Sequence, residues 1–549
     1  MPSLRVLAQR PDQLTVAALL IAALIAFPVF GVVLQVFAPG SENWVHVRTY
    51  LLPDYLTNTL WLAVGTLIGV VILGTASAWL VTACNFPGRA VFEWALILPL
   101  AAPAYVIAYA YTDLLQHPGP VQTGLRALLD LGPRDYWFPE IRSLGGAVFV
   151  FSVVLFPYVY LLARAAFLEQ AAGVLEASRS LGESPWRGFA RVALPLARPA
   201  IVAGAALAMM EMLADFGAVS HFGVETFTTG IYRAWLSMGD RALAGKLAAM
   251  LLLAVLVVLL IERWSRRHVR VDPSEGRFRA PPRFILGPVA RWGAFAACLA
   301  PIALGFLVPV GYLSYLAITA GHDPFTEKYL TLVWNTLSLA GITAGLAVVI
   351  ALVLAYAARL RRTPLVRGAV RVAALGYAVP GSIIAVAILI PLATLDQWLG
   401  DALEGVLGWQ TGLILTGSLA ALVYAYLVRF MALPIQALEA GLERITPNID
   451  AAARSLGAGP PRTLATVHLP MLRASVLSAG VLTFVEVMKE LPATLIARPF
   501  NFDTLAVQAY RLASDERLAE ASTASLTIVA VGLIPVILLS RAITRSASR

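Results

Sequence analysis

Four carboxylates stand in apolar surroundings. Glu211 and Asp215 lie in MMEMLADFGAV, and Glu486 and Glu490 lie in FVEVMKELPATL. An ionisable group inside such a run is costly unless it faces a polar interior. Each pair is spaced i, i+4, which puts both acids on one face of a helix. Carboxylate oxygen is a hard ligand that suits hard cations, so four such groups on two helices could line one path. The opposing reading is structural: Glu486 and Lys489 are i, i+3 and neutralise each other, or an acid near the end of a span serves as a hinge. His221, at the outer end of the same run as Asp215, meets a cation or is simply solvated. No metal site is assigned, and two cysteines, Cys84 and Cys298, cannot build a disulfide framework or a zinc site.

The elements that carry these groups are transmembrane helices. The chain has 549 residues, 59% hydrophobic and 13% charged, with mean hydropathy +0.77. A soluble domain is roughly 45–50% apolar and about 25% charged, so a soluble enzyme with one ordinary core is excluded. Apolar runs long enough to span recur near 14–37, 57–83, 92–115, 145–167, 199–222 and 243–262. A second set lies near 291–316, 333–357, 371–395, 411–431, 472–496 and 523–541. The expected fold is an all-α polytopic membrane protein of about 12 transmembrane helices. A β-barrel, with strands of about 9–11 residues of alternating polarity, is rejected. The first run is longer than the core of about 7–15 residues of a signal peptide, so it reads as a span.

The net charge of +9 reads as topology and not as a nucleic-acid surface. Most Lys and Arg residues fall in alternate loops and tails. Positive-inside bias puts both termini and those loops in the cytoplasm, and an even number of spans agrees.

The chain is written twice. Ser178-Arg179-Ser180-Leu181-Gly182 recurs as Ala453-Arg454-Ser455-Leu456-Gly457 at an offset of 275. Leu194-Pro195 recurs as Leu469-Pro470, Glu211 as Glu486 and Asp215 as Glu490. Asn58 recurs as Asn335 and Pro103 as Pro380, at 277. The period spans six helices, so two parallel repeats are expected: residues 1–262 and 291–549, with 263–290 as a basic cytoplasmic linker. Pro103 and Pro380 fall mid-span, where proline kinks a helix. Asn58 and Asn335 open spans, where N-capping explains them.

Two matched loops, about 168–198 and 432–473, carry the mechanism. Each reads as a short Ala-rich helix, a glycine break and a second short helix ending at Leu-Pro. This pattern resembles the "EAA" loop of permease subunits of binding-protein-dependent ABC importers. The resemblance implies a type I importer fold and coupling loops that dock on ATP-binding subunits. It points to Glu176, Ala177, Arg179 and Gly182 in the first copy, and to Asp450, Ala451, Arg454 and Gly457 in the second. The second copy departs from the family pattern, with Ala451 where the first has Glu176. Asp450, one residue earlier, either replaces that acid or leaves one salt bridge unmade. No G-x-x-x-x-G-K-[ST] motif is present. The chain is therefore expected to bind no cofactor and to work with two ATP-binding subunits, which use the ATP.

Residues 213–235 and 486–522 are similar to those of fused two-domain permeases for ferric iron. That similarity implies a bacterial inner-membrane transport subunit, not an enzyme, fed by a periplasmic substrate-binding protein. Loops 116–144 and 497–522, then 223–242, are the expected docking surfaces for that protein. Relatives that move thiamine or polyamines share the architecture, and a secondary transporter is the alternative of another class. Tyr105 and Tyr109 share a helix face; tyrosine ligates ferric iron, and it also forms interfacial aromatic belts.

Overall fold

The structure is a computed structural model that describes residues 13–35, 37, 39–169, 185–266, 283–361, 363–408 and 412–547. Among them, ten helices are long and apolar enough to cross a membrane, and the number reaches 12 if each of two bent helix pairs is one span. These positions coincide with the apolar runs of the sequence. Arg89–Ala101 with Ala104–Leu129 is bent by 88°, and Leu419–Phe430 with Ala432–Glu443 by 50°. The strands among the described residues are Cys84–Asn85 and Phe284–Ile285, which pair in parallel.

Packing gathers the helices into two compact units. One holds the chain up to Pro39, Ala244–Ala249 and Thr331–Thr504; the other holds Gly40–Leu243, Met250–Leu330 and the chain from Leu505. The units do not share the boundaries of the sequence repeat. Helix Gln13–Gln35 packs with Pro364–Ala373 and Gly381–Leu407 inside the first unit. Helix Val308–Ala320 packs with Leu518–Ala547 inside the second.

The second unit shows what holds such helices together. Hydrocarbon provides no hydrophobic drive between spans, so close backbone approach takes its place. Helices Leu52–Ala83 and Leu194–Ala214 both press on helix Leu144–Glu169. A Cβ on Gly74 would lie 2.6 Å from Val159 Cβ and 2.9 Å from the Phe156 carbonyl oxygen. A Cβ on Gly204 would lie 2.7 Å from both the Tyr158 carbonyl oxygen and Val159 Cα. Pro157, inside the same helix, has no N–H to give the Val153 carbonyl. Gly305 crowds that carbonyl so closely that a Cβ there would stand 2.2 Å from its oxygen.

Two expectations about proline change. Pro103 and Pro380 do not kink continuous spans; they are the N-cap residues of helices Ala104–Leu115 and Gly381–Leu407. The chain breaks before each, because the missing N–H is harmless only at a helix start. Leu194-Pro195 and Leu469-Pro470 do not end short helices. Wide π turns, Phe189–Ala193 and Leu464–His468, run into the spans at these points. A wide turn absorbs the hydrogen bond that proline cannot make and relieves its clash with the preceding turn.

Gly204→Leu is expected to lower the thermal midpoint of the detergent-purified chain. Overpacking of this kind costs about 1–3 kcal/mol or more. Gly124→Ala, inside helix Pro120–Leu129 at a position with open space around it, is the control and should leave the midpoint unchanged or slightly raised, because alanine favours a helix over glycine.

Candidate functional site

The 432–473 loop is tied to the end of a long span by side chains from three elements. Helix Glu327–Leu360 delivers Arg359 one residue before its end, and helix Pro447–Ser455 delivers Asp450 from its first turn. Arg359 Nη2 donates to Asp450 Oδ2 at 2.6 Å, and Arg359 Nε donates to the same oxygen at 3.2 Å. The guanidinium also donates to the carbonyls of Leu442 at 2.6 Å and Ile445 at 3.0 Å, closing the turn after helix Ala432–Glu443. His468 Nε2 lies 2.8 Å from Asp450 Oδ1, and the His468 side chain is fully buried. Tyr356 donates to the Pro460 carbonyl at 2.8 Å and meets the His468 ring edge-on at 5.6 Å.

Asp450 is therefore used within the chain. Its neighbours Ala451, Ala452, Arg454, Ser455 and Leu456 are exposed. Gly457 ends the helix at φ +77°, a left-handed position that glycine adopts without steric cost. The Ala458 N–H reaches the Ala453 carbonyl at 3.0 Å and the Gly457 N–H reaches the Arg454 carbonyl at 2.9 Å, the pattern of a glycine-terminated helix. The first loop's Glu176, Ala177, Arg179 and Gly182 lie outside the described residues.

Arg359, Tyr356 and His468 were missed by the motif reading. Comparison of the two copies contains the signal. At the repeat offsets, Arg359, Asp450 and His468 correspond to Thr82, Leu175 and Ala193, and Tyr356 to Trp79. Three titratable residues thus appear together in the second copy, and none of them has a titratable counterpart in the first. The first copy uses rings instead: Trp79 packs on Phe189 at 4.8 Å and on Phe167 at 5.5 Å.

The four intramembrane acids are not arranged as expected. Helix Leu194–Ala214 stops before Asp215, and helix Leu469–Met488 stops before Glu490. The second acid of each pair therefore does not share a helix face with the first. Asp215 Oδ1 accepts from the Ala218 N–H at 2.8 Å, at the start of the short helix Gly217–His221. Glu490 Oε1 accepts from the Ala493 N–H at 2.8 Å, and its Oε2 accepts from the Thr494 N–H at 3.0 Å and hydroxyl at 2.7 Å. Glu490 is buried, with Arg429 Nη1 at 3.8 Å. Each carboxylate satisfies backbone donors at a helix start that the bilayer cannot satisfy. Glu486 pairs with Lys489 at 2.8 Å. Glu211 is half-buried on its helix.

Asn58 and Asn335 lie inside helices Leu52–Ala83 and Glu327–Leu360, not at their starts. Asn58 donates to the Glu225 carbonyl at 3.0 Å, and Asn335 donates to the Asp503 carbonyl at 3.1 Å. Each asparagine thus pins a loop of its own unit. Loop 223–242 is further held by Asp240, which accepts from Asn43 Nδ2 at 3.0 Å and the Leu243 N–H at 2.9 Å. Burial alone would raise the Asp240 pKa, but these bonds and one with Ser41 hold it below the usual carboxylate value.

Comparison with known proteins agrees with this architecture. The family model of the binding-protein-dependent transport system inner membrane component matches residues 70–271. The chain is 28% identical over 540 residues to the Fe(3+)-transport system permease protein FbpB 2 of Haemophilus influenzae, covering 97% of this chain and 98% of that protein. It is 23% identical over 510 residues to the probable ABC transporter permease protein y4fN of Sinorhizobium fredii, covering 88% and 86%. It is 32% identical over 206 residues to the molybdenum transport system permease protein ModB of Escherichia coli, covering 36% of this chain and 86% of that protein. The match to one relative is thus shorter than one copy of the repeat, while the matches to two others are far longer than one copy. The chain belongs to the binding-protein-dependent inner-membrane transport components, as an ABC importer permease with two such units fused in one multi-pass polypeptide.

Proposed function

We propose that this permease carries ferric iron inward across the bacterial inner membrane by alternating access. The observation that carries the substrate is the similarity to an Fe(3+)-transport permease over 97% of the chain. Likeness to the molybdenum permease extends over only 36% of the chain, and a match over nearly the whole chain is the better guide to cargo.

In this reading both termini and the loops 168–198 and 432–473 are cytoplasmic. Two ATP-binding subunits dock on those loops and hydrolyse the ATP; this chain binds no cofactor. Around Glu176, Ala177, Arg179 and Gly182 the first loop makes one contact. In the second, Asp450 and Gly457 shape the helix, while Ala451 and Arg454 face the partner beside Leu456, which is 86% exposed. A periplasmic substrate-binding protein docks on loops 116–144, 223–242 and 497–522. Trp137 and Phe500, at 86% and 95% exposed, supply apolar anchors there, and such side chains are enriched at interfaces. The acids Glu211, Asp215, Glu486 and Glu490 are proposed to flank the path. Asp215 and Glu490 do so as caps that hold its broken helices.

Three measurements test this. The purified chain alone should hydrolyse no ATP; with its partners in proteoliposomes it should accumulate iron only when ATP is present. Uptake of thiamine but not iron would overturn the substrate assignment, and uptake without ATP-binding subunits would make it a secondary transporter.

Asp450→Ala removes two charged hydrogen bonds, each contributing about 1.5–3 kcal/mol. It should lower both the thermal midpoint and ATP-coupled uptake. Arg454→Ala should lower coupled uptake with the midpoint unchanged, because its side chain is on the exposed face.

Asp215→Asn keeps a cap acceptor and should retain the fold, whereas Asp215→Ala should cost about 0.5–2 kcal/mol. Loss of uptake in Asp215→Asn with an unchanged midpoint would show that the charge, not the cap, is what transport uses.

A further inference from the structure

The second unit contains two buried donor groups in ring contact, Tyr109 and His221, that have no hydrogen-bond partner among the described residues. Tyr109 sits in helix Ala104–Leu115 and is 1% exposed. Its hydroxyl is buried and has no hydrogen-bond partner among the described residues. His221 ends the short helix Gly217–His221, and its buried Nε2 is likewise unpartnered. The two rings meet edge-on with centroids 4.7 Å apart. Tyr105, one helical turn before Tyr109, has its ring 5.7 Å away. Tyr510, from helix Leu505–Ser514, has its hydroxyl 3.5 Å from Ser220 Oγ, beside His221 in the chain.

A buried polar group without a partner has lost its water and gained nothing in return, so it destabilises the fold. Two in ring contact, from separate helices, are a poor way to build a core. A phenylalanine in place of Tyr109 and an aliphatic residue in place of His221 would fill the same space without that cost. The second copy of the repeat has this apolar solution: Val386 and Ile496 stand at the positions equivalent to Tyr109 and His221. Asp215 caps the helix that ends in His221, so the imidazole is held at a fixed place. Arg142, the cation that acts on His221 electrostatically, is neutralised by Glu516 at 2.5 Å.

We propose that Tyr109 and His221, with Tyr105 and Tyr510 around them, form a transit site for the ferric ion, present once per chain. This rests on the ferric reading above. Phenolate oxygen and imidazole nitrogen are donors that suit iron, and oxygen donors favour hard cations. As the Fe–O bond forms, the Tyr109 O–H breaks and its proton passes to a hydroxide ligand that the ion sheds as water. When the ion leaves, the Fe–O bond breaks, water takes its place on iron and gives a proton back to the phenolate, and iron remains Fe(III) throughout. Asp215 acts here as a positioning residue through the short helix.

The test uses the full chain purified in detergent and titrated with ferric nitrilotriacetate. A tyrosinate-to-iron charge-transfer band in the visible is expected. Tyr109→Phe should abolish it with no drop in thermal midpoint. His221→Gln should weaken iron binding about 10–100-fold, as loss of a metal-orienting group does. Absence of the band in the unsubstituted chain, or its persistence in Tyr109→Phe, overturns the site. The same preparations reconstituted with partners separate this proposal from the broader one. Iron uptake by Tyr109→Phe at the unsubstituted rate overturns the site and leaves the ferric importer standing. No iron uptake by the unsubstituted chain, with uptake of another solute, removes both.

Discussion

Hydrocarbon offers a broken helix no water to complete its hydrogen bonds, and that deficit governs where this chain can bend. Each break needs a local acceptor for the new helix start, or a residue with no donor to satisfy. Asp215 and Glu490 supply carboxylates at the breaks after Ala214 and Met488. Pro103 and Pro380 supply the other solution at the starts of Ala104–Leu115 and Gly381–Leu407. These devices occur at matching places in the two copies. Breaks in a transport protein provide the irregular backbone that a path requires, and the groups that satisfy the broken backbone are what let these helices stop and restart.

The same lack of water shapes the packing. With no hydrophobic gain on association, contact between spans depends on backbone proximity. Gly74 and Gly204 bring two helices onto the Phe156–Val159 stretch of a third, and Gly305 seats on the carbonyl that Pro157 leaves without a donor. The two copies solve this differently. At the positions of Gly74 and Gly204 the second copy has Ala351 and Ala479.

Much of this was legible from residue order. Spans of about 20 apolar residues declare themselves, and the 275-residue offset between Arg179 and Arg454 identifies a duplicated loop. The acids were visible as costly groups, but their geometry was not. An i, i+4 spacing implies a shared face only where the helix continues, and here the second acid is what stops it. Asn58 and Asn335 were read as caps because they stand near the openings of apolar runs. The helices begin earlier, so their amides are free to reach loops about 167 residues away. The exchange of helices between compact units was not legible, since an apolar run does not say which neighbour it packs on and a single polar contact such as Tyr312 with Asp113 cannot be paired from residue order.

Duplication explains which features recur and which do not. What the backbone demands appears in both copies: a cap after each broken span, a proline at each new start, a wide turn before each Leu-Pro. What side-chain chemistry demands appears in one. Arg359, Asp450 and His468 hold the second loop by polar contacts, whereas the first copy has Thr82, Leu175 and Ala193 and packs Trp79 on Phe189. Tyr109 and His221 face one another in the first copy, whereas the second has Val386 and Ile496. A fused chain is free to diverge in this way, because each copy is inherited with its partner and need not pair with itself. On the proposed reading, two like motors acting on one path call for alike backbones, whereas one ion on that path calls for a single set of ligands.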